Sequence, residues 1–86
     1  MKLFVIERTI PGIGIAGRQL WGPTAQSGTD ALAPDIRWVE SFVAVDRTFC
    51  VFLAKDEETI RQHSDLTGLP ATRITEIRRI LDPTDA

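Results

Sequence analysis

The 86-residue chain has no tyrosine, one cysteine, one histidine and one methionine. Its single cysteine, Cys50, excludes an intramolecular disulfide and a four-cysteine structural zinc site within one chain, and it fits a reducing compartment. Long hydrophobic runs are missing too. The opening stretch from Leu3 to Ile6 is cut by Glu7 and Arg8, shorter than a signal-peptide core and far shorter than a membrane span. No membrane role is expected, and a cytoplasmic location is. Neither sign of charge dominates: 10 Lys and Arg against 12 Asp and Glu leave a net charge of -2, which gives no global pull toward nucleic acid or anionic lipid.

What is present fits one domain over residues 1–86, long enough for one hydrophobic core and too short for two. Lys2 to Thr9 is rich in β-branched and aromatic residues and ends at Pro11-Gly12, which predicts a first strand. From Ile15 to Leu32 apolar residues recur at helical spacing around Gly22-Pro23, which predicts a kinked or delayed helix. Ile36 to Val45 reads as a second strand, with Ile36, Trp38 and Phe42 on one side and Val39, Val43 and Val45 on the other. After the polar break Asp46-Arg47, Thr48 to Ala54 folds back as the third strand of a hairpin. Asp56 caps a second helix from about Glu57 to Leu66, stopped by Gly68 and Pro70. Arg73 to Leu81 reads as a last strand, with a helix as the second choice. The order is βαββαβ: an α+β ferredoxin-like fold, a four-stranded antiparallel sheet with two helices on one face.

Leu3 and Val5 oppose Phe4 and Ile6, and Phe49, Val51 and Leu53 oppose Cys50 and Phe52, so both strands are apolar on both faces. Two helices cover only one face. A sheet with one wet face alternates apolar with polar, so something else must cover the second. A homodimer formed sheet on sheet is the expected partner, with Trp38 and Phe42 as candidate interface aromatics.

Gly12-Ile13-Gly14-Ile15-Ala16-Gly17 spells a dinucleotide-type glycine pattern, but the strand after the helix turns into a hairpin instead of running parallel, so no cofactor is expected from it. Leu3-Phe4-Val5 and Arg47-Thr48-Phe49 resemble the paired motifs of RNA-recognition domains. The residue two after Phe49 is Val51, not an aromatic for base stacking, so no nucleic acid is expected. His63 follows Ile60 by three and so turns toward the sheet. A neutral imidazole there can ligate metal or move a proton, while the commoner role is a hydrogen-bonded structural one. Cys50 in mid-strand reads as a small buried hydrophobe. Glu7 and Glu76, on otherwise apolar strands, stand either at a wet rim or beside a polar pocket with His63. No nucleophile-elbow motif surrounds Ser41 or Ser64, and no catalytic residue is assigned.

Glu7-Arg8, Trp38-Val39, Ser41-Phe42, Asp46-Arg47 and Phe49-Cys50-Val51-Phe52 form the first part of a pattern. It continues through Glu58, Ile60-Arg61, His63, Gly68, Pro70-Ala71, Arg73-Ile74, Glu76 and Asp82-Pro83-Thr84. With these residues the chain resembles a family of small bacterial proteins, some of them described as nickel-binding, with a dimeric ferredoxin-like fold. Family members commonly carry tyrosine where Phe42, Phe49 and Phe52 stand, so phenol hydroxyls are missing here. The resemblance implies Ni(II) or another divalent transition metal, with His63 as the natural ligand and Cys50, Glu7 or Glu76 as companions. One histidine per chain is few for a tight site, which then draws on carboxylates and water or on the dimer partner.

Three readings follow. The first is a small, non-enzymatic, nickel-type metal-binding dimer. The second is a dimeric α+β-barrel enzyme or small-ligand-binding protein, with His63 in an apolar pocket lined by Trp38 and Phe42. The third is a structural module in which His63 is simply hydrogen-bonded in the core.

Overall fold

The computed structural model of the protein describes residues 1–9 and 18–85, with the backbone alone for 18–22. The glycine-rich stretch 12–17 lies outside the described residues. The elements run β1 (Lys2–Thr9), α1 (Arg18–Leu32), β2 (Ile36–Val43), β3 (Arg47–Ala54), α2 (Glu57–Thr67) and β4 (Arg73–Ile77), followed by a short 3-10 turn, Pro83–Asp85. All neighbouring strands pair antiparallel in the order β2-β3-β1-β4, the ferredoxin-like arrangement expected from the sequence.

The two central strands set the layers. In β1, Phe4, Ile6 and Arg8 are buried, as are Thr48, Cys50, Phe52 and Ala54 of β3, because a period of two sends alternate side chains to one face. Ala25 of α1 and Ile60 of α2 close over them, joined by Ile36, and these residues form one apolar cluster. Burial of Phe4, Ile6, Phe52 and Ile60 stabilises the fold by about 1.5–3 kcal/mol each.

Helix α2 is bounded as its sequence requires. Asp56 accepts the Thr59 backbone N–H at 2.9 Å and the Thr59 hydroxyl at 2.8 Å. Glu57 and Glu58 lie in the positive first turn, and Gly68 ends the helix at φ 73, a left-handed conformation suited to glycine. In α1, Pro23 lies inside the helix. Residues 15–17, where the sequence places the helix start, lie outside the described residues.

Two boundaries and one register differ from expectation, and the first boundary is that of β2, which ends at Val43 and not at Val45. A β-bulge between Trp38 and Glu40 shifts the register of β2 on β3. Trp38 pairs with Phe52 and Ser41 with Cys50, both toward the helices, while Glu40 and Phe42 pair with Val51 and Phe49 on the open face. One extra residue reverses the faces beyond it. β4 ends at Ile77, and Arg78 to Leu81 leave the sheet exposed, with Ile80 and Leu81 not packed on the core.

Candidate functional site

Helix α2 turns Thr59, Ile60 and His63 inward as one stripe, at spacings of one and three residues. Helix α1 reaches His63 because Gly28 carries no side chain: a Cβ there would stand 3.0 Å from the imidazole and collide with the Thr67 methyl. Beneath the helices, β1 brings up Arg8, two residues beyond Ile6 on the same face. Arg8 and His63 are both 0% exposed.

The Arg8 guanidinium is bound on several sides. Nη1 donates to Ser64 Oγ at 3.2 Å, Leu69 O at 3.1 Å and Pro70 O at 3.0 Å. Nη2 lies 3.5 Å from His63 Nδ1, a long contact at the limit of hydrogen bonding. Among the described residues Arg8 Nε has no hydrogen-bond partner. Burial lowers the Arg8 pKa from its ordinary value, and the neighbouring Cys50 opposes that shift.

His63 ties three elements. Its Nε2 lies 2.8 Å from Ala25 O of α1, and a carbonyl oxygen only accepts, so this nitrogen carries the proton. Nδ1 is then the acceptor facing Arg8. Thr29 Oγ1 donates to the same Ala25 oxygen at 2.9 Å and lies 3.5 Å from Nε2. The imidazole is tilted at 57° against the Phe52 ring, centroids 5.1 Å apart. Burial lowers the His63 pKa below 6.5. The Ala25 carbonyl pulls it up, and the Arg8 charge pushes it further down.

The expected metal set does not converge. Cys50 and His63 face the same, helix-covered side, and Cys50 Sγ lies 3.5 Å from Thr48 Oγ1. Glu7 stands on the opposite face, in phase with Leu3 and Val5, bound to Arg47 Nη1 at 2.8 Å. Glu76 lies on the edge strand β4 between Lys2 at 4.0 Å and Arg78 at 3.4 Å. A sheet separates Glu7 from His63, so His63, Cys50, Glu7 and Glu76 cannot share one ion within a protomer. Among the described residues no group of three His, Cys, Asp or Glu side chains is placed to hold a metal. These residues therefore do not fit a nickel centre inside the protomer.

Nor do the expected interface aromatics stand together. Trp38 is half-buried against the core on the helix side, its Nε1 donating to Ser41 Oγ at 2.8 Å, while Phe42 is 57% exposed on the open face. A pocket lined by Trp38, Phe42 and His63 is thus not formed. Two surface grooves among the described residues lie elsewhere. One of about 440 Å³ lies between the helices over Gly28 and Thr67, and one of about 420 Å³ lies beside Ser64 and Pro70. His63 lines neither.

Arg8 is the residue that site reasoning from the sequence missed. Its signal was its phase: it follows Phe4 and Ile6 at a period of two, which buries it with them.

The open face carries Leu3, Val5, Phe49, Val51 and Leu53, all half-buried, with Phe42 directly opposite Phe49. The Glu7–Arg47 pair lies at the β1–β3 end of this surface. No helix of the described residues is long and apolar enough to cross a membrane.

No curated protein matches the chain. Among solved structures, it is similar to the crystal structure of SCO4226 from Streptomyces coelicolor A3(2), with a TM-score of 0.72 and 17% identity over 92% of this chain and 99% of that one. At that identity the likeness speaks for the fold. The family model described as nickel responsive protein SCO4226-like matches residues 4–77, most of the chain, including every strand residue from Phe4 to Ile77 and the Arg8 and His63 positions. The chain belongs to the nickel-responsive SCO4226-like family.

Proposed function

We propose that this protein is a small, non-enzymatic, nickel-type metal-binding homodimer, joined through the open face of its sheet. The observation that carries the assembly is the two-sided apolar character of β1 and β3. Leu3, Val5, Phe49, Val51, Leu53 and Phe42 form a continuous apolar surface on the side without helices. Such a surface is costly in water and is removed from it when two copies pack face to face.

Nickel enters through the family, whose printed description is nickel responsive. Because no three ligand side chains converge within one protomer among the described residues, binding is proposed to depend on the dimer, where groups of two chains meet.

The reading is tested by calorimetric nickel titration of tag-free protein beside Phe42→Glu, which places a charge on the open face. Circular dichroism confirms that both are folded. A fixed nickel ratio per dimer in the wild type, lost in a monomeric Phe42→Glu, supports it. Equal binding by the monomeric variant, or no binding to the dimer, rejects it.

A further inference from the structure

We propose that Arg8 is a resident cation that fills the coordination space of His63 and keeps the imidazole closed to metal. Around the guanidinium stand three oxygens, Ser64 Oγ, Leu69 O and Pro70 O at 3.0 to 3.2 Å, with the imidazole Nδ1 at 3.5 Å. The oxygens gather on Nη1 while Nδ1 faces Nη2; imidazole suits a divalent transition metal, and the place such an ion would take is the space in front of the Nδ1 lone pair. Here a side chain that stays charged at every physiological pH occupies it.

The other ring nitrogen is closed as well. Nε2 carries the proton that it donates to Ala25 O at 2.8 Å, so it has no lone pair for a metal. For Nδ1 to bind an ion, the guanidinium would have to leave a pocket in which it is 0% exposed, abandoning three acceptors. Were it to stay, two positive charges would face each other in a weakly screening interior. His63 is thus a tie between α2, α1 and β1 in this chain, and Arg8 is what makes it so.

This inference rests on the nickel reading only for the ion used as its probe, and it removes His63 from the ligands of that reading. Its test uses the one histidine of the chain, whose ring signals in proton-carbon NMR need no assignment among rivals. Nickel(II) is paramagnetic and erases the signals of a group that ligates it. On titrating the full chain to a slight excess of nickel, the wild-type ring signals are expected to keep their intensity.

In Arg8→Gln the charge is gone and Nδ1 is uncovered. The ring signals are then expected to broaden at a nickel concentration about tenfold lower than any that affects the wild type. Arg8→Lys, which keeps a cation, should behave as the wild type does.

The proposal is overturned if stoichiometric nickel erases the wild-type ring signals, or if a folded Arg8→Gln leaves them as untouched as the wild type. If Arg8→Gln does not fold, Arg8→Met, which fills the pocket without a charge, takes its place under the same two criteria. Nickel heat in calorimetry reports on the family reading separately, since it registers binding anywhere on the chain.

Discussion

The same two strands make both faces of the sheet, and the two faces have been given different tasks. Toward the helices, β1 and β3 present Phe4, Ile6, Cys50 and Phe52 together with the buried cation of Arg8. Toward the open side they present Leu3, Val5, Phe49, Val51 and Leu53, with their charge confined to the Glu7–Arg47 pair. On the covered face the Arg8 Nη atoms and the His63 ring have found partners inside the protein, which ties α1, α2 and the segment at Leu69 and Pro70 together. The open face carries apolar area without such commitments, so it is free to meet another surface. What could be taken for a reactive centre, the lone histidine with a cysteine and an arginine near it, belongs to the face whose chemistry is spent on holding the fold.

The sharpest way to break this comparison is to remove Arg8. Arg8→Ala leaves Leu69 O, Pro70 O, Ser64 Oγ and His63 Nδ1 without their donor. A loss of about 3–5 kcal/mol is expected in urea unfolding, since each buried acceptor left unsatisfied costs about 1–3 kcal/mol. A loss under about 1 kcal/mol would show the cluster to be incidental.

Next comes Gly28→Ala, which forces α1 away from His63 and Thr67. Thermal and urea unfolding should register about 1–3 kcal/mol, the cost of overpacking a close contact. A neutral or stabilising result would mean that the helices have room to part.

The third test is pH. The His63 pKa is lowered in the folded protein, so the unfolded chain takes up the proton first. Stability is therefore full above the ordinary value of 6.5 and is lost as pH falls below it, at up to about 1.4 kcal/mol per pH unit, until the lowered folded value is reached. The Asp56 carboxyl, also lowered, by its bonds to Thr59, loses its contribution only near and below 3.8, outside that window. Urea midpoints at pH 7.5 and 5.5 should differ for the wild type and agree for His63→Gln. Equal midpoints in the wild type would contradict the account.

The smallest effect is expected on the open face. Glu7→Gln breaks a partly exposed ion pair with Arg47, and about 0–1 kcal/mol in unfolding is the expected change. A loss as large as that of Arg8→Ala would erase the distinction between the faces.

Much of this was legible in the residues, and the gaps have physical causes. The caps at Asp56 and Gly68 bounded α2 because each does a local job that few residue types can do. The two-sided apolar pattern read in β1 and β3 falls on the two central strands of the sheet. The position of Trp38 was not legible, because the bulge before Glu40 carries no glycine or proline to mark it and arises from the pairing of β2 with β3. The metal set failed on parity. Glu7 is in phase with Leu3 and Val5, whereas His63 meets the face of Phe4 and Ile6, and this followed from the period of two. Arg8 escaped notice because a charge at the end of a strand is usually solvated. Only the helix above it and the carbonyls of Leu69 and Pro70 make its burial tolerable.

The division of the sheet into a committed face and an available one is tested most directly by the molecular mass of the protein in solution. Sedimentation equilibrium over micromolar concentrations should return twice the chain mass for the wild type and one chain mass for a folded Phe42→Glu. A wild-type protein that sediments as one chain throughout that range would contradict the account.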